Sequence, residues 1–85
     1  MGLTMTVANL RELLESGAEQ PVLYVARDEW TLTPMRLAVR DESEVPRKDV
    51  VVDRTELGVV GAADDDDLDY LLLGYQVVLD EILEN

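Results

Sequence analysis

Eighty-five residues with nineteen acids, seven bases and a net charge of −12 describe one small acidic domain, without room for a second core. That balance argues against binding nucleic acid through its phosphates and against docking on an anionic membrane. Cysteine is absent, which excludes disulfides, and histidine is absent too, so no ordinary structural zinc site can form.

Met1–Met5 reads as a leader, with Met5 as an alternative start. "TVANLRELLESG" follows as a helix. Thr6 is its expected N-cap. Val7, Leu10, Leu13 and Leu14 share one arc at about 100° per residue, while Arg11, Glu12 and Glu15 fall outside it. Gly17 is placed to end the helix in the left-handed conformation.

Pro21–Arg27, "PVLYVAR", is rich in β-branched and aromatic residues and is apolar on both alternating faces. It is expected to be a central strand. Asp28–Trp30 reads as a turn and Thr31–Asp41 as a second strand. Pro34 cannot donate to a ladder, so it marks an edge, a bulge or the strand's start. Met35, Leu37 and Val39 are expected on a buried face, and Arg36, Ala38 and Arg40 on a wet one. Asp41–Lys48 is a polar connection and Asp49–Asp53 a third short strand. A helical turn at Thr55–Leu57 then leads through a Gly- and Ala-containing linker into the last helix, read as residues 66–84 with an acidic start at 64–67.

The order is α-β-β-β-α. Short connections favour antiparallel pairing. The expected fold is α+β and two-layered: a small three-stranded, mainly antiparallel sheet packed by an N-terminal helix and a long C-terminal one.

The run Asp64–Asp67 invites a calcium reading, with Asp65, Asp67 and Asp69 at the first, third and fifth loop positions. Such a loop needs glycine sixth and glutamate twelfth; this chain has Tyr70 and Gln76. A helix cap plus a solvated surface is the plainer reading, since acids complement the positive end of the helix dipole. At the other end, Asp80, Glu81 and Glu84 sit where that dipole favours cations.

In between, Leu68, Leu71, Leu72, Tyr75, Val78, Leu79, Ile82 and Leu83 form one wide apolar arc, the expected core face. Tyr70, Leu73 and Val77 form a second stripe on nearly the opposite side, with Gly74 beside it. A glycine inside a helix costs about 1 kcal/mol relative to alanine, and close approach by another backbone would offset that. These four residues are the candidate partner-binding site. The competing reading is that residues 57–63 fold over the stripe.

Catalysis is not expected. Without His or Cys the usual general base and thiol nucleophile are missing, Ser16 and Ser43 lie in no nucleophile-elbow pattern, and no glycines form a phosphate loop. No cofactor or metal is expected either. Trp30 with Tyr24 could face a ligand, although such residues more often pack on a sheet. No basic segment precedes an apolar run and nothing is long and apolar enough to span a membrane, so a cytoplasmic location is expected. Arginine outnumbers lysine, phenylalanine is missing and acids dominate, which fits a halophilic archaeon, with an actinobacterial or viral source as the alternative.

The opening "TVANLRELLESGAEQPVLYVARDEWTLTPMR" resembles small uncharacterised bacterial and phage proteins. These begin T-V-x-x-L-x-x-x-L, pass a short acidic or proline-bearing loop and enter a P-V-x-V strand. The chain departs from that pattern at "SGAEQ". The resemblance implies no catalytic or ligand residues and points towards a virus or mobile element.

The sequence therefore suggests a small non-enzymatic interaction module that associates with itself or with a larger assembly through its C-terminal helix. The alternative is an acidic mimic of nucleic acid that inhibits a DNA-binding protein.

Overall fold

Thr6 caps the first helix with a reciprocal pair of hydrogen bonds. In the computed structural model, which describes residues 3–59 and 64–84, the Asn9 amide donates to Thr6 Oγ1 (3.4 Å) and the Thr6 amide donates to Asn9 Oδ1 (2.8 Å). Two otherwise orphaned N–H groups are thereby satisfied, and helix α1 runs Val7–Glu15 with Leu10 and Leu13 buried. It does not end on a left-handed Gly17. Ser16 is the C-cap, in extended conformation, and the Nη1 of Arg54 donates to its carbonyl (2.9 Å). A side chain from elsewhere in the fold thus supplies a donor beside the helix end without a left-handed glycine.

Strand β1 (Pro21–Arg27) lies in the middle of a three-stranded sheet of order β2-β1-β3, with β2 at Pro34–Asp41 and β3 at Val50–Asp53. Both neighbours are antiparallel to it. Apolarity on both faces of β1 is what a central strand needs. Pro34 stands at the first position of β2, where a missing N–H costs least. Two single-turn 3-10 segments, Glu42–Glu44 and Arg47–Asp49, carry the chain from the β2 edge to the β3 edge. Asp41 starts that connection. The Ser43 amide and hydroxyl, and the Gln20 amide, donate to its carboxylate, and together they hold its pKa below the ordinary value.

Asp53 Oδ1 accepts from the Glu56 amide (2.6 Å), and the expected helical turn is a short helix, α2 (Arg54–Val59). Asp64 plays the same part for α3 (Asp65–Glu84), accepting from the Asp67 amide at 3.0 Å. That helix begins one residue earlier than the sequence reading placed it.

The fold is α+β. Helices α1 and α3 pack together and against the sheet, and Leu10, Leu13, Leu23, Leu57, Leu68 and Leu79 are fully buried between them. Each such side chain contributes roughly 1.5–3 kcal/mol relative to exposure. All eight residues expected on the inner face of α3 belong to this core or pack on it.

Of the segment read as a leader, Met1 and Gly2 lie outside the described residues, while Leu3 and Met5 are built into the fold. Met5 is buried, its amide donates to Gln76 Oε1 (2.8 Å), and Gln76 Nε2 donates to the Leu3 carbonyl (3.1 Å). One amide of α3 thus clamps the N-terminal backbone. The expected buried face of β2 is also only partly so. Leu37 and Val39 pack on the core, whereas Met35, one residue from the start of β2, is 62% exposed. Ala38, expected to be wet, is buried.

Candidate interaction surface

The outer side of α3 is where sequence and structure meet. Tyr70, Leu73 and Val77 are 80%, 77% and 57% exposed, large apolar side chains on one line of the helix. Gly74 lies beside them, and a Cβ placed there would meet nothing within 4 Å. No contact within the described residues explains the glycine. Tyr70, Leu73 and Gly74, with Leu71 and Tyr75, border a shallow hollow of about 370 Å3.

Residues 57–63, the alternative cover, divide in two. Leu57 is fully buried in the core rather than laid over the stripe. Residues 60–63 lie outside the described residues.

Charge frames the stripe. At helical spacing Asp66 continues its line towards the N-terminus, and Glu81 and Glu84 continue it towards the C-terminus; all are exposed. Asp65, Asp67 and Asp69 are part of the α3 helix rather than of a loop, so their carboxylates cannot converge as a calcium loop requires. Asp65 instead takes an ion pair from Arg11 of α1. Tyr75 borders the hollow while packing on the core. Desolvation first, then the carboxylates of Glu56 and Asp53, push its phenol above the ordinary value.

A second exposed apolar group escaped the sequence reading. Trp30 is 90% exposed and Leu32 62% exposed at the β1–β2 turn, next to Met35. Trp30 therefore does not pack on the sheet with Tyr24. Asp28 shapes the turn by accepting from the Trp30 (2.7 Å) and Thr31 (3.2 Å) amides, and Leu32 closes it at φ 60°, a left-handed backbone that leucine rarely adopts. The turn signal at Asp28–Trp30 already places the tryptophan at a hairpin tip, where it is exposed.

No family model, curated protein or solved structure matches this chain. Among the described residues no helix is long and apolar enough to cross a membrane.

Proposed function

We infer that this is a small non-enzymatic interaction module that works through the outer face of α3. A second copy of the chain is the partner the surface suits best, and a docked place in a larger assembly is the other form of the same reading. The supporting observation is the exposure of Tyr70, Leu73 and Val77 along one line beside an open Gly74. Three large apolar residues aligned on a helix with no covering layer among the described residues are unusual in an acid-coated domain. A two-fold pair needs only one self-complementary patch, and a stripe at mid-helix supplies it. The missing Cβ lets a partner helix approach closely.

In an antiparallel pair Asp66 of one helix would face Glu81 of the other. Acid would then oppose acid at both ends of the contact, and association should tighten as salt screens them. The acidic, cysteine-free composition fits a cytoplasmic setting. The nucleic-acid mimic gains less support, because the exposed acids of α3 stand in two groups with apolar residues between them.

Sedimentation equilibrium at low and high salt tests the reading. The expected result is a concentration-dependent dimer, tighter at high salt, whose dissociation constant rises at least about tenfold in Leu73→Asp. Circular dichroism should show the variant folded, since Leu73 supports nothing in the core. A monomer at every salt concentration, with Leu73→Asp binding nothing differently, refutes self-association through α3.

A further inference from the structure

Along the side of the sheet that carries Tyr24, a cleft that also reaches Ile82 of α3 gathers basic side chains in an otherwise acidic molecule. Cross-strand pairing puts Val22 beside Arg40, Tyr24 beside Ala38 and Ala26 beside Arg36, so both arginines share that face with the tyrosine between them. Lys48, from the connection between β2 and β3, borders the same cleft, which measures about 750 Å3. Four of the chain's seven bases line it, against three of its nineteen acids. A chain of net charge −12 has gathered most of its positive charge in one concavity.

The three acids are largely accounted for. Asp49, nearly buried, is paired with Arg27 Nε at 2.9 Å, and Asp28 spends its carboxylate on the turn amides. Arg27 is fixed further by donating from Nη1 to the Leu32 carbonyl (3.0 Å). Glu29 alone adds unengaged negative charge at the hairpin end. The side chains of Arg36, Arg40 and Lys48 make no hydrogen bond or ion pair with any described residue. In so acidic a protein, cations kept clear of carboxylates are the unexpected feature.

We propose that this cleft binds a compact phosphate ester, held by Arg36, Arg40 and Lys48 over the ring of Tyr24. Guanidinium forks match phosphate oxygens two at a time, and a lysine adds a point charge. The cleft's volume is that of a small-molecule site. Compactness follows from the surroundings: a long polyanion would run beyond the three cations onto Glu29 and the acidic surface outside.

Titration of isotopically labelled protein with inorganic pyrophosphate, followed by amide NMR, tests the site, with a glutamate-rich peptide as the competing probe. Saturable shifts should centre on Tyr24, Ala38 and Lys48 and weaken as salt rises. Arg36→Gln/Arg40→Gln should weaken binding at least about tenfold, whereas Arg47→Gln, a base outside the cleft, should change it less than about threefold. Both variants alter exposed side chains, and their unshifted core amides report that they fold. Absence of saturable shifts, tighter binding of the peptide than of pyrophosphate, or equal losses in the two variants each overturns the proposal.

Discussion

The outer face of α3 and the basic cleft on the Tyr24 side of the sheet differ in kind. The helix presents Tyr70, Leu73 and Val77 between acidic ends, and so departs from its surroundings in polarity. The sheet presents Arg36, Arg40 and Lys48 around Tyr24, and so departs in charge. Against a surface dominated by carboxylates, each departure is local and legible. A strongly biased composition therefore makes candidate surfaces easier to pick out, because whatever breaks the bias stands out. Salt separates the two surfaces further: it should strengthen contact through α3 and weaken anion binding on the sheet.

The largest way to break the comparison is to remove what holds the basic cleft in shape. The Arg27 and Asp49 side chains are 19% and 6% exposed, and their pair ties the end of β1 to the connection that delivers Lys48. Arg27→Met leaves the Asp49 carboxylate nearly buried without its cation. The expected cost is roughly 3 kcal/mol, because losing one partner strands the other's charge. Urea unfolding at fixed high salt measures it, and a loss below about 1 kcal/mol would mean that water replaces the guanidinium easily. Contact through α3 should persist in the surviving folded fraction.

Local pattern explains which parts were legible beforehand. Thr6, the doubly apolar β1 and the eight inner residues of α3 are read correctly because cap chemistry and periodicity act within a few residues. Gly17 misleads because the donor that meets the α1 end is Arg54, 38 residues away in sequence. Met35 misleads because alternation says which face a residue takes, not how deeply it is buried there. The outer stripe of α3 could be named in advance, being periodic. The basic cleft could not: Arg36 and Arg40 share a face by alternation, but their meeting with Tyr24 and Lys48 depends on register and on a connection crossing between sheet edges.

Gly74 sharpens the helix side of the comparison. Since an added Cβ meets nothing among the described residues, Gly74→Ala should stabilise the isolated chain by about 1 kcal/mol through helix propensity. If a second backbone approaches there, the same methyl group should weaken association. Urea unfolding at low protein concentration reads the first effect, and sedimentation reads the second. A gain in stability with association unchanged would place the contact elsewhere on the helix.

The smallest expected effect comes from Tyr75, which joins the two sides of α3 by packing on the core and bordering the outer hollow. Its phenol is raised in the folded chain by desolvation, helped by Glu56 and Asp53. An unfolded tyrosine releases its proton near its ordinary value of about 10, so as pH rises through that region the unfolded state ionises first. The stabilising contribution is complete below the unfolded value and is lost as pH climbs through the folded one. Unfolding curves between about pH 8 and about pH 11 should therefore show falling stability, and Tyr75→Phe should flatten the slope. Self-association adds a distinguishing feature. A partner laid over the hollow removes more water from the phenol, so its ionisation, followed by phenolate absorbance, should move to higher pH as protein concentration increases. A titration independent of concentration would leave the hollow uncovered, and the comparison would then rest on the sheet face alone.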